Sequence, residues 1–269
     1  MTAGSPQVVA HRGASETEPE HTLAAYVEAI KVGSDALECD VRLTADGHLV
    51  CVHDRDVRRT SNGRGIVSTL ELTDLQGLDW GSWKALEAGY PDDRGSEEPD
   101  VVSQDDRAHL LTLKKLFSLV ADTDRPLELA VETKHPTRYG GQVERALVDL
   151  LAHFGWADDP ESPVRVMSFS LLAVRRMRLL APAVPRVFLM ERVPLAFRDG
   201  SLPPGMGVAG ISVDILKRHP AYAQRLHERG HELHVWTVDQ MDEVDLCVDA
   251  GATAIITNRP ADVLTHLGR

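Results

Sequence analysis

Short apolar runs alternate with amphipathic stretches along the whole chain. The runs at 7–10, 36–43, 127–132, 164–169, 186–190, 208–213, 233–237 and 254–257 have the length of single strands and are bounded by turn formers. Between them, apolar residues recur three and four apart over 21–31, 111–121, 141–154, 171–180, 220–228, 241–249 and 261–267, which predicts helices with one buried face. Only the run at 186–190 feeds no clear helix, because 194–207 is rich in Pro and Gly. Strands that each feed a helix or crossover predict an α/β chain of the (β/α)8 TIM-barrel type. The competing architecture is an open doubly wound sheet. It would place a glycine-rich phosphate turn after the first strand, where His11-Arg12-Gly13-Ala14 stands instead. Polar residues also end most of the runs, among them His11, Glu38, Asp40, Glu132, Lys134, Ser168, Asp214 and Trp236. A closed barrel gathers such strand ends at one mouth, whereas an open sheet spreads them.

The rhythm breaks after the second strand. Asp46-Gly47 is a hairpin signal, and 48–53 reads as a returning strand. Residues 54–110 then read as an insertion over the barrel mouth, so that 1–269 form one catalytic domain. Within the insertion, the acidic stretch 91–106 is expected to be a solvated loop, and Trp80 and Trp83 to be packing that anchors it.

Composition narrows the partners. The chain is 43% apolar and 26% charged, as ordinary globular proteins are. A net charge of −12 argues against nucleic acid and means that an anionic substrate would need a local basic patch or a bound cation. With no leader pattern at the start and no apolar run near membrane-spanning length, the expectation is a cytoplasmic location without stable membrane insertion. Cys39, Cys51 and Cys247 are an odd number at no metal spacing, which reads as reduced thiols, with Cys39 packed on the apolar side of its strand.

Glu38 and Asp40 are two apart, and in a strand such residues share a face. Paired carboxylates suit a hard cation, and Glu132 adds a third beside the fixed charge of Lys134. His11 and His53 are suited to proton transfer near neutral pH, and Arg12 and Lys134 to neutralising phosphate oxygens. Glu20 has two readings: support for the positive end of the first helix, or contact with a cation's surroundings or substrate hydroxyls. His135, next to Lys134, would face the other way and is read as structural.

Together these motifs resemble the glycerophosphodiester phosphodiesterase family. The resemblance rests on His11-Arg12-Gly13, Pro19-Glu20, Glu38-Cys39-Asp40-Val41 and the Asp46-Gly47…Val52-His53-Asp54 hairpin. It continues through Leu111-Thr112-Leu113, Glu132-Thr133-Lys134, Ser168-Phe169, Trp236-Thr237-Val238 and Ile256-Thr257-Asn258-Arg259-Pro260. It covers essentially the whole chain, in order. It implies a barrel hydrolase that releases glycerol 3-phosphate and an alcohol from a small glycerophosphodiester, using one divalent cation, Mg²⁺ or Ca²⁺. By position, Glu38, Asp40 and Glu132 would hold the cation, and His11 and His53 would form the acid–base pair. Arg12 and Lys134 would contact phosphate, and Trp236 would wall the pocket. Two positions depart from the family's usual pattern. His21 replaces a usual Asn and is expected to start the first helix, and Asn258 replaces a frequent Asp, with only a loop contact at stake. A lysophospholipase D-type activity on lipids would use the same residues. A barrel that only binds would be expected to lack one of the histidines or carboxylates, and none is lacking.

Overall fold

A computed structural model describes residues 5–87, 104–138 and 140–269. Its strands are β1 (Gln7–His11), β2 (Ala36–Leu43), β3 (Leu49–Cys51), β4 (Glu128–Thr133), β5 (Val164–Ser168), β6 (Arg186–Met190), β7 (Val208–Ser212), β8 (Glu232–Trp236) and β9 (Ala254–Thr257). The helices are α1 (Leu23–Lys31), α2 (Leu72–Gln76), α3 (Ser82–Glu87), α4 (Gln104–Ala108), α5 (Leu113–Ala121) and α6 (Gln142–His153). They continue with α7 (Leu171–Leu180), α8 (Val213–Arg218), α9 (Ala221–Glu228), α10 (Met241–Asp249) and α11 (Pro260–His266). Parallel pairing runs from β1 through β9 and back down to β4 and β2, and a further β1–β2 ladder closes the circle. The result is an eight-stranded parallel barrel with helices outside, the expected TIM barrel, with β3 as an antiparallel hairpin partner of β2.

Strand alternation sorts the side chains. Leu37, Cys39, Val41, Leu129 and Val131 point outward and pack with residues of α1, α5 and α6, each large one contributing about 1.5–3 kcal/mol of burial. Val9, Ala36, Ala130, Met167, Val187, Leu189, Ala254 and Ile256 fill the interior. Above that apolar layer, β2 turns Glu38 and Asp40 inward, and the ladders set His11 beside Glu38 and Asp40 beside Glu132. Below it lies a polar floor, where Arg165 bonds Gln7, Glu128 and the buried His234.

Between β3 and α5, Val57, Val67, Leu75, Trp80 and Leu110 make a small core of their own with Val50 and Val52. Trp80 is buried there and donates its indole N–H to the Leu75 carbonyl, and Trp83 donates to the Trp80 carbonyl. Arg107 pairs with Glu18, and Lys84 donates to the Ser15 carbonyl, which ties this segment to the loop after β1. Most of the acidic stretch 91–106 lies outside the described residues. All three cysteines are free and buried. No helix among the described residues is long and apolar enough to cross a membrane.

Two local expectations are corrected. The first helix begins at Leu23, with Thr22 as N-cap accepting from the Ala25 N–H, so His21 neither starts nor caps it. His21 instead stands at φ 62°, a left-handed conformation in which Asn, Asp and His are the enriched non-glycine residues. The run at 208–213 ends as a strand at Ser212 and turns directly into α8, a helix too short to show a repeating apolar face.

Candidate active site

The chain leaving β1 makes a sharp left-handed turn, with Arg12 at φ 59° and Gly13 at φ 83°. A Cβ at Gly13 would stand 2.6 Å from the Ala25 backbone, so glycine lets α1 pack against the end of β1. The turn aims the Arg12 N–H at Glu38 Oε2 (3.0 Å) and its guanidinium at Asp40 Oδ2 (3.1 Å). Glu38, Asp40 and Glu132 are buried, and one oxygen from each lies within 4.8 Å of the others. Lys134 Nζ sits against Asp40 (3.2 Å) and Glu132 (2.9 Å). His21 Nε2 donates to Asp40 Oδ2 (3.0 Å), while Tyr26 bonds His21 Nδ1 and donates to the Glu38 carbonyl.

The electrostatics follow from this crowding. Burial and the neighbouring Asp40 push Glu38 above the usual carboxylate range and Glu132 up to about 8, although Lys134 opposes both. Burial also acts against Asp40, but the His21 hydrogen bond and the Lys134 and Arg12 charges outweigh it and hold Asp40 well below that range. Three buried carboxylates, two of them raised by burial and then by a neighbouring carboxylate, are a fitting oxygen donor set for a hard divalent cation.

His11 and His53 are both held by Nδ1. Asn258 Nδ2 donates to Asp239 (2.7 Å), which turns Asn258 Oδ1 toward His11 and lets it accept from His11 Nδ1 (2.7 Å). His11 Nε2 then lies 4.0 Å from Glu38. Burial, reinforced by Arg12, lowers His11 to about 4. His53 Nδ1 donates to Asp54 (2.7 Å), and burial lowers its pKa while Asp40 and Asp54 act the other way. Asp54 is gripped in turn by Arg59 (2.6 Å). Glu20 accepts from both Arg12 (3.0 Å) and Arg59 (2.7 Å), so its carboxylate braces two guanidiniums and is held by them at about 2 despite burial. Asn258, for which only a loop contact was expected, thus sets the tautomer of His11.

One cavity of about 110 Å³ is lined by His11, Arg12, Glu38, His53, Glu132, Lys134 and Trp236. Trp236 stacks edge-on with the half-exposed Phe169, ring centroids 5.3 Å apart, and forms an apolar wall. His135 lies outside this cavity and pairs with the fully buried Glu144 (3.0 Å), in line with a structural role. Arg42, Arg59 and Asp239 were not anticipated. Arg42 carried a legible signal, because it continues the Glu38, Asp40 period along β2.

The sequence matches the glycerophosphoryl diester phosphodiesterase family over residues 11–262. It is 45% identical over 264 residues to the "Probable glycerophosphodiester phosphodiesterase 1" of Mycobacterium tuberculosis, covering 97% of this chain and 92% of that one. It is 31% identical to the glycerophosphodiester phosphodiesterase of Bacillus subtilis, covering 94% and 83% of the two chains. The fold matches an Oleispira antarctica phosphodiesterase solved with the product sn-glycerol-3-phosphate, with a TM-score of 0.81, 23% identity and coverage of 98% and 97%. With matched residues running from the first catalytic-mouth histidine to the last helix, this chain belongs to the glycerophosphoryl diester phosphodiesterase family.

Proposed function

We propose that this protein hydrolyses small glycerophosphodiesters to glycerol 3-phosphate and an alcohol, in a reaction that depends on one divalent cation, Mg²⁺ or Ca²⁺. The observation that carries the reading is one cavity lined by two histidines, two fixed cations and Glu38 and Glu132, with Asp40 clustered against those two carboxylates. The names of the relatives, and the product bound to the Oleispira neighbour, point the same way.

Glu38, Asp40 and Glu132 would hold the cation, which when bound supplies Lewis-acid polarisation of the phosphate. Arg12 and Lys134 neutralise the remaining phosphate oxygens, and Glu20 keeps Arg12 aimed. His53 is the base: its Nε2 takes the nucleophile's proton, and Asp54 on Nδ1 stabilises the imidazolium that forms. His11 is the acid for the departing alkoxide. Its low resting pKa leaves it neutral at pH 7, so it would take a proton from solvent onto Nε2 when the phosphate's negative charge arrives, and pass that proton to the alkoxide. Trp236 and Phe169 shield the apolar side of the substrate. The described part of residues 54–110 would wall this mouth, and the free buried thiols suit a reducing cytoplasm.

A second reading draws on exposed apolar residues following strand ends at the mouth, where Phe169 is 41% and Leu195 78% exposed. They would favour a lipid substrate and a lysophospholipase D-type reaction. The deciding assay is glycerol 3-phosphate release from glycerophosphocholine with Mg²⁺, with Ca²⁺ and with excess chelator. Turnover is expected only with metal. It should fall at least about a hundredfold in His53→Ala, the usual scale for a lost general base, and comparably in Glu38→Ala. Cleavage of lysophosphatidylcholine alone would favour the lipid enzyme, and silence on both substrates would leave a binding protein.

A further inference from the structure

Arg42 follows Asp40 by two residues on β2, about 7 Å further toward the mouth. Its Nε and Nη2 both donate to the His53 carbonyl, at 3.0 and 2.7 Å, a neutral acceptor. The ion pairs among the described residues involve neither Arg42 nor Arg55. Both line a small pit between the 54–110 segment and the loop after β4, together with Ser68, Lys134, Thr137 and Arg138. Lys134 lines this pit and the catalytic cavity alike, so the two adjoin at that side chain.

Arg42 and Arg55 bring two positive charges to this pit in a chain of net charge −12, whereas Lys134 is already paired with Asp40 and Glu132. A half-buried guanidinium without a carboxylate partner is costly unless an anion meets it. Arginine clusters of this kind recognise phosphate, whose oxygens match the guanidinium fork. The spacing along β2 from the carboxylate triad is comparable to the reach of a short polyol bridging two phosphates.

We propose that this pit is a second phosphate subsite, one that binds a phosphate carried on the leaving alcohol, so that the preferred diesters are those whose alcohol is itself phosphorylated. Its link to turnover rests on the diesterase reading, but its existence as an anion site does not.

Calorimetry tests the site directly, comparing glycerol 1,3-bisphosphate, glycerol 3-phosphate and inorganic phosphate on the wild-type protein and on Arg55→Gln and Arg55→Lys. The bisphosphate should bind at least about tenfold tighter than either monophosphate, as one added charge-assisted contact provides. Arg55→Gln should remove most of that gain, and Arg55→Lys should retain part of it. Equal affinities in the wild type, or a gain indifferent to Arg55→Gln, would overturn the proposal. Inorganic phosphate binding as tightly as the bisphosphate, and lost in Arg55→Gln, would also overturn it by identifying a free-phosphate site. Failure of glycerophosphocholine hydrolysis would sink the diesterase reading while leaving the bisphosphate result to decide the subsite.

Discussion

Asn258 faces two ways, and its amide suits both neighbours. Its Nδ2 donates to Asp239 while its Oδ1 accepts from His11 and from the Ser15 hydroxyl. A carboxylate there would set two anions 2.7 Å apart at the Asp239 contact. Asn258→Asp should therefore cost about 1–3 kcal/mol in urea denaturation, and adding Asp239→Asn should recover most of the loss. Equal stability of the single and double variants would contradict this account of the pair. The histidines, carboxylates and cations of the mouth were legible in the sequence because each stands at a strand end. The roles of Asn258 and Asp239 were not, because 247 residues separate Asn258 from His11 until barrel closure brings β9 beside β1. Arg59 escaped notice for another reason: among neighbouring Asp and Arg residues, nothing in the pattern marks which arginine folds back onto Glu20.

At the scale of elements, the turn from β1 into α1 is the most demanding piece of backbone. Gly13→Ala would place a methyl group against Ala25 at a positive φ and should destabilise the fold by about 2 kcal/mol or more, read from the shift in urea midpoint at constant slope. Arg59→Ala should behave differently. Arg59 is 41% exposed, so its loss should cost less than about 1 kcal/mol of stability. Because it holds both Asp54 and Glu20, kcat should nevertheless fall by about tenfold or more. A stability loss without a rate loss would show Arg59 to be only a surface tie. Strands and long helices were readable because their periods repeat several times. Helix α8, six residues long, offers fewer than two turns, and its apolar Val213, Ile215 and Leu216 follow the β7 run without a break.

The whole molecule titrates at both ends of its barrel. On the floor, burial and the nearby Arg165 lower His234 to about 3, far below its ordinary 6.5. Above pH 6.5 neither the folded nor the unfolded chain protonates this ring, and its contribution is intact. As pH falls from 6.5 toward 3, the unfolded chain takes a proton that the folded chain refuses, and stability drops. The loss amounts to about 2 kcal/mol at pH 5. His234→Gln keeps an acceptor for Arg165 and should flatten the stability profile between pH 7 and 5 by that amount. An unchanged profile would show that His234 is not the group responsible.

The apolar layer of Val9, Ala36, Ala130, Met167, Val187, Leu189, Ala254 and Ile256 separates that floor from the catalytic mouth. It works as a water-free seal between two charged compartments, but apolar packing screens charge poorly, so their fields still reach one another. Charges redesigned beneath it, to raise acid tolerance or to fix the protein to a surface, should therefore be felt weakly by the titrating groups above. One end of the barrel is thus open to adjustment for durability, with the reactivity of the other as the quantity to watch.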